Sequence, residues 1–451
     1  MSIDTAIDHL PQPPMARGWP VLGNALAMQQ DLVTFLVEQY KQLGPIFRVR
    51  ALNQEFVVMA GPEANTFVTQ HGADKFRSYE LWHEFGREFD AEYHLLAIDG
   101  EPHMQLRKLF KPAYSVGKLL SDIPLLVEIA QKVLQGFEVG QEVPVLTLFR
   151  LIVTEQLGRV LADYAPRENL QDIITSIRVA LNVHVTKQMP AFMLKLPSYQ
   201  RARKRYLKMG HEIVAAHRTV KRDGKDLIDD ILSASQKPDF QSTLGSEEQI
   251  AFAALGPFVA GLDTVANECT FLLYELFNHP DVLAQCVEEA DQLFSQGLPT
   301  QEQIRAHGPL HYAMMETLRL HSIAPVVNRT ATKDFTFAGH SIKEGQQVMI
   351  ATTVSHFLPE LYPSPSTFDI HRYSEERREH KQRGSYAPFG IGTHLCLGAG
   401  AAEAQIVLAM ATLLHLVRLE RVRPQEKLRV KNDPTPTFGY VFRVSVSEHR
   451  H

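Results

Sequence analysis

The sequence predicts a mainly α-helical protein with a minor β part, an α+β fold in one large unit. Three observations carry this expectation. From about 101 to 330 the chain shows amphipathic runs of helical period, broken by Pro and Gly. Within them "SEEQIAFAALGPFVAGLDTVANECTFLLYELFNHP" (246–280) reads as the clearest long helix, apolar nearly all round in its middle and so suited to cross an interior. Strand signals gather instead near the two ends of the chain.

Taken in order, "PIFRVRALNQEFVVMAG" (45–61) reads as two short strands around a polar turn at Leu52–Gln54. The long helix opens with a capping box, Ser246 with Gln249, and "NHP" stops it. Pro257 lies inside it, removing one backbone donor and bending it. After 330 the strand signals return in "FTFAGHSI", "QQVMIATTV" and "FGYVFRVSV". No repeat or low-complexity linker divides the chain, so one domain is expected over 1–451, with residues 1–20 as a Pro-rich N-terminal arm.

At 451 residues the chain can bury a large core without disulfides. Apolar content of 45% and charged content of 22% describe an ordinary folded protein. A net charge of −5 argues against nucleic acid as the main partner. The three cysteines, Cys269, Cys286 and Cys396, form no CxxC or Cys/His cluster of zinc spacing and suit a reducing compartment. The N-terminus has no apolar run of signal or anchor length, and the apolar stretches 251–262 and 406–417 fall short of a membrane span. A cytoplasmic protein with no membrane anchor is expected.

The chemistry points to one loop, "RGSYAPFGIGTHLCLGAGAAEAQ" (383–405). Cys396 stands just before an Ala-rich, helix-favouring run, where unpaired N–H groups and the helix dipole favour a thiolate. Glycines on either side allow close approach by a flat ligand. A lone cysteine near a helix start is more often a small buried hydrophobe, so the wider pattern has to decide.

That pattern, "FGIGTHLCLG" (389–398), resembles the haem-binding loop of cytochromes P450, Phe-x-x-Gly-x-Arg/His-x-Cys-x-Gly. The resemblance runs over nearly the whole chain. It implies the P450 fold, with a long central distal helix over haem and a small strand-rich region. It also implies haem b as cofactor, Cys396 as its iron ligand, and Pro388, Phe389, Gly390 and Gly398 as its cradle. "VAGLDTVAN" (259–267) resembles the oxygen-activating turn: Ala260 and Gly261 line a groove, Thr264 can bond the Ala260 carbonyl, and Asp263 with Thr264 would deliver protons. "METLRLHSIAP" supplies Glu316 and Arg319, and Arg372 follows "FDIH"; the resemblance makes these a buried, fold-holding triad. His103, Arg107, Arg329 and His394 match the cations expected at the haem propionates. The segment around His356 departs from the family's Asn-Arg-Asp-Pro-like pattern.

The resemblance implies a haem-thiolate monooxygenase that hydroxylates a hydrophobic small molecule, a terpenoid, steroid or fatty acid, with O2. The pocket would draw on Tyr79, Trp82, Phe85, Leu255, Val259, Val326, Val327 and Tyr440, residues equally at home in a core. No flavin- or NAD-type fingerprint is present, so electrons are expected from a separate ferredoxin or flavodoxin with its reductase. The basic run "RREHKQR" (377–383), with Lys108 and Lys111, could steer that donor. A monomer is expected. A peroxide-using peroxygenase or isomerase, or a non-catalytic binding protein for haem or hydrophobic ligands, are the rival readings.

Overall fold

A computed structural model describes residues 9–219 and 226–450; residues 1–8 of the expected N-terminal arm lie outside the described residues. The chain gathers into two compact units. Among the described residues one comprises 9–82, 96–100 and 318–396, the other 83–95, 101–219, 226–317 and 397–450.

In the first unit the strands Ile46–Ala51 and Gln54–Ala60 pair antiparallel, joined by a turn in which Leu52 takes φ 57°. Gln54–Ala60 then pairs in parallel with Gln347–Ala351, which continues through Val327–Ala331 to Phe76–Arg77 in a five-stranded sheet. Alternation fixes the faces. Phe47, Val49, Val58 and Met349 pack with Leu36 of helix Leu32–Leu43, whereas Ile46, Val57, Met59 and Ile350 pack with Phe76 and Phe335. A slip of one residue would exchange the two sets, so the register is strongly specified.

Two arginines of this unit are completely buried. Arg319 donates from Nη1 to the carbonyls of His356 and Pro365, both at 2.7 Å, and its guanidinium lies 5.0 Å from the Tyr362 ring centre. Arg372 donates to Glu379 at 2.8 Å and to the Ser364 carbonyl at 2.9 Å, and both arginines reach the Thr367 carbonyl. Glu316, one turn before Arg319 on helix Pro309–Leu320, is equally buried.

His356 completes the arrangement. Its Nε2 accepts from the Ala387 N–H at 2.9 Å, so Nδ1 carries the proton and donates to the Arg319 carbonyl at 3.0 Å. Burial first, and the Arg319 guanidinium second, push the imidazole down to about 3. Where the sequence left local bonding undefined, a neutral histidine spans two backbone segments.

In the second unit the helices Glu247–Ala254 and Gly256–Asn278 replace the single helix expected over 246–280. The capping box on Ser246 forms as read. The break falls at Leu255, because Pro257 enters at the first turn of the following helix, where a missing N–H is tolerated. Both helical stretches around the apolar runs, 247–278 and 392–416, are in fact long and apolar enough to cross a membrane. Each has more than half of its most apolar window buried inside the protein, 56% and 61%. A three-stranded sheet, Glu142–Pro144, Arg443–His449 and Val417–Arg421, closes against the end of helix Ala399–Leu416. The hairpin 430–438 lays Phe438 on Phe271, ring centres 5.0 Å apart.

The buried imidazole generates a test. Its folded pKa lies below that of the unfolded chain, so the unfolded state alone takes up a proton as pH falls below about 6.5. Stability is therefore present above that value and lost on the way down to about 3. His356→Gln should weaken the protein at pH 7 by about 1–3 kcal/mol through impaired bonds to Arg319 and Ala387. It should also flatten the loss of urea stability between pH 7 and pH 4. Equal pH slopes in the two proteins would contradict this account of His356.

Candidate active site

The cysteine loop belongs to the first unit and is built from nested turns. The N–H of Gly390 donates to Ala387, that of Leu395 to Gly392, and that of Cys396 to Phe389, the last at 2.9 Å. Gly390 and Gly392 take φ of 75° and 70°, values that a side chain would strain. A Cβ at Gly390 would meet nothing within 4 Å, so that side of the loop opens onto free space. Cys396 is exposed, and helix Ala399–Leu416 starts three residues later. Burial pushes the thiols of Cys269 and Cys286 upward, which leaves Cys396 as the cysteine fit for service as a thiolate.

Two of the expected propionate partners, His394 and Arg329, stand in the same unit. His394 Nε2 lies 2.9 Å from Asp99 Oδ1 and 3.3 Å from Ser78 Oγ. Burial raises the Asp99 carboxyl, but the bonds from His394 and from the Ser78 N–H outweigh it and bring Asp99 below the usual carboxylate range. Asp99 escaped the sequence reading; its place just before "GEPH" carries no signal of a partner 295 residues away. Arg329 is half-buried, and burial lowers its guanidinium to about 10 despite Asp99 nearby. Its Nη1 donates to the Asn328 carbonyl at 2.7 Å. A guanidinium so desolvated suits an anionic ligand group.

In the second unit, Thr264 Oγ1 donates to the Ala260 carbonyl at 2.7 Å, as the sequence led us to expect. Gly261 has a packing reason of its own: a Cβ there would lie 2.8 Å from Leu157 Cδ1 on helix Val145–Ala162. Asp263 Oδ1 accepts from Arg150 Nε at 2.7 Å, a partner the sequence did not disclose. The Asn267 amide donates to the Asp263 carbonyl at 2.8 Å. His103 is buried, and Arg107 follows one turn later on helix Gly100–Phe110.

The expected pocket residues divide. Phe85 is fully buried, edge-to-face on Phe89 at 5.3 Å and on Phe252 at 6.2 Å, and Leu255 is fully buried beside Gly210. Both are core, because aromatic and aliphatic side chains fill interiors as readily as ligand walls. Val326 and Val327 pack partly against opposite faces of the sheet. Tyr79, Trp82, Val259 and Tyr440 keep partial exposure. The basic run is also changed. Arg377 is bonded to Asp369 at 2.6 Å and to Glu379, and Arg378 sits 3.5 Å from Glu375. Lys381 and Arg383 are exposed.

The exposed cysteine before a helix, the open glycine cradle and the desolvated Arg329 fit an iron porphyrin bearing carboxylates. The comparisons with known proteins agree. A cytochrome P450 family profile matches residues 13–440. The chain is 26% identical over 449 residues to an abscisic acid 8'-hydroxylase of Solanum lycopersicum, covering 96% of this chain and 90% of that protein. It is 22% identical over 433 residues to a sterol 14alpha-demethylase of Mycolicibacterium vanbaalenii, covering 94% of each. Among solved structures, the heme domain of cytochrome P450DA superposes with a TM-score of 0.84 at 22% identity, over 98% of both chains. A retinoic acid-bound cyanobacterial P450 does so with a TM-score of 0.82 at 23% identity, over 97% of this chain and 99% of that one. The chain belongs to the cytochrome P450 family, as a haem b-binding monooxygenase of hydrophobic substrates.

Proposed function

We propose that this monooxygenase hydroxylates a terpenoid or steroid, drawing electrons from a separate ferredoxin or flavodoxin in the cytoplasm. The net change consumes a substrate C–H bond, O2, two electrons and two protons, and yields an alcohol and water. When bound, the haem would supply the redox chemistry of O2 activation, and a thiolate ligand would make it more electron-rich. The residues of this chain supply the rest. Cys396 would hold the haem iron through its thiolate, with Pro388, Phe389, Gly390 and Gly398 around the group. Arg329 and His394 of the first unit would hold the propionates, a role the family resemblance also gives to His103 and Arg107.

The observation that carries this reading is the Thr264–Ala260 bond with Asp263 beside it. The hydroxyl is held at a fixed place by its 2.7 Å bond, and Asp263 is fixed by Arg150 one residue earlier in the chain. A hydroxyl and a carboxylate so placed can pass protons inward, which an O2-dependent reaction needs and a peroxide-dependent one does not. The substrate class rests on the apolar candidates Trp82, Val259, Val326 and Val327, and on the abscisic acid and sterol named for the relatives.

For the donor, the exposed Lys381 and Arg383 of the first unit offer a positive surface, whereas Arg377 is committed to its own acids; Lys108 and Lys111 are exposed in the second unit.

Two tests follow from these residues. Abscisic acid, lanosterol, retinoic acid and lauric acid should be titrated into the ferric holoprotein. At least one of the first three should shift the iron spin state and then gain one oxygen atom, in a reaction that needs O2, ferredoxin and reductase. Turnover with hydrogen peroxide alone, equal to that with the electron donor, would overturn the reading. Separately, Lys381→Glu with Arg383→Glu should slow reduction by ferredoxin about 10-fold at low salt and leave reduction by dithionite unchanged. Unchanged ferredoxin kinetics would exclude this surface.

A further inference from the structure

The three-stranded sheet of the second unit has two unlike edges. One is Glu142–Pro144, three residues long and closed by a proline, which cannot donate to a further strand. The other is Val417–Arg421, five residues without proline, and among the described residues no strand lies beyond it. Backbone groups left over at such an edge are a template for another strand.

The bonds to the middle strand show which groups these are. The Val422 N–H donates to the Arg443 carbonyl, and the Leu416 carbonyl accepts from the Arg450 N–H. Ser447 Oγ, at the bulge of the middle strand, donates to the Arg418 carbonyl at 3.1 Å. Bonding direction alternates along a strand, so positions 416, 418, 420 and 422 face inward. Leu419 and Arg421 therefore turn their N–H and C=O to the open edge. Beside that edge a groove of about 880 Å³ runs between the strand and helix Pro280–Phe294, with Phe277, Leu283, Val287, Leu414 and Leu419 among its walls.

The side chains narrow the choice of occupant. Arg418 and Glu420 are both exposed, on the face opposite Leu419. Across the sheet Arg418 lies 3.5 Å from Glu448, whereas Glu420 stands opposite Ser445. The order Arg-Leu-Glu is self-complementary. Laid antiparallel on its own copy, Leu419 against Leu419, the strand sets Arg418 against Glu420 of the copy and Glu420 against Arg418. In that register the two Leu419 residues form a hydrogen-bonded pair. The charge pairs then fall at non-hydrogen-bonded sites, where side chains lie closest. Centring the pair on Arg418 or Glu420 would instead put like charges face to face. Charges on an edge ordinarily repel a second strand, but this order favours one register with one partner.

We propose that strand Val417–Arg421 is a self-association edge. Two copies pair antiparallel about a two-fold axis at Leu419, and the apolar groove beside each strand takes the strand of the other copy. A strand pair of this length buries less than a standard interface, so the dimer forms reversibly on concentration. The expectation of a monomer then holds for the dilute protein only.

Sedimentation equilibrium of the full-length holoprotein between about 1 and 200 µM tests this, with the parent, Glu420→Arg and Arg418→Glu. Folding of each is checked by an unaltered spectrum of the reduced carbonyl adduct. Arg418→Glu also puts a second acid beside Glu448; if it loses that spectrum, Arg418→Glu with Glu448→Gln takes its place. The parent should approach twice the monomer mass. Glu420→Arg sets arginine against arginine and Arg418→Glu sets acid against acid, so each alone should associate about 10-fold more weakly. An equimolar mixture of the two restores opposite charges at both sites and should associate to within about threefold of the parent. A parent that stays monomeric over the whole range, parent-like association of either variant alone, or a mixture no better than its components overturns the inference.

Discussion

A guanidinium buried away from water must find acceptors, and the first unit is organised around that demand at Arg319. The carbonyls of His356, Pro365 and Thr367 converge on it, and Tyr362 and Phe357 cover its face. Satisfying it fixes the segment 356–367, and His356 carries the constraint onward to Ala387, directly before Pro388 and Phe389. Asn65 ties Gly384 to Thr352, and Ser355 ties in Ser385. The cysteine loop thus hangs from a polar scaffold, with Ile391 packed against the apolar cluster around Phe76. Such a frame can hold a ligand atom to the tolerance that metal coordination requires.

In the second unit the same physics appears with charges that are only partly buried. Arg150 and Asp263, then Arg178 and Asp433, are ion pairs with side chains between 16% and 39% exposed. At that exposure their net contribution to stability is small. Their role is positional: Arg150 fixes the Asp263 side chain on helix Gly256–Asn278, and Arg178 fixes Asp433 on the hairpin 430–438.

Local features were legible from the chain. The strands around Leu52, the Ser246 cap and the Thr264 bond to Ala260 each depend on residues a few positions apart, and the cysteine loop was readable from one contiguous stretch. What stayed hidden joins distant positions. Asp99 meets His394 across 295 residues, Arg150 meets Asp263 across 113, and Arg178 meets Asp433 across 255. No periodicity encodes such pairs. Phe85 and Leu255 were misplaced for a different reason: an apolar type reports burial without saying what it is buried against. Glu379 was read only as part of a basic run, yet it pairs with both Arg372 and Arg377.

The account depends most on sulfur from Cys396 serving as the fifth ligand of the haem iron. The carbonyl adduct of the dithionite-reduced holoprotein tests it directly, recorded for the parent and for Cys396→His. The parent should show the long-wavelength band of a thiolate-ligated haem, and the variant the shorter-wavelength band of an imidazole-ligated one. An imidazole-type band in the parent, or a thiolate-type band surviving in the variant, would contradict the account.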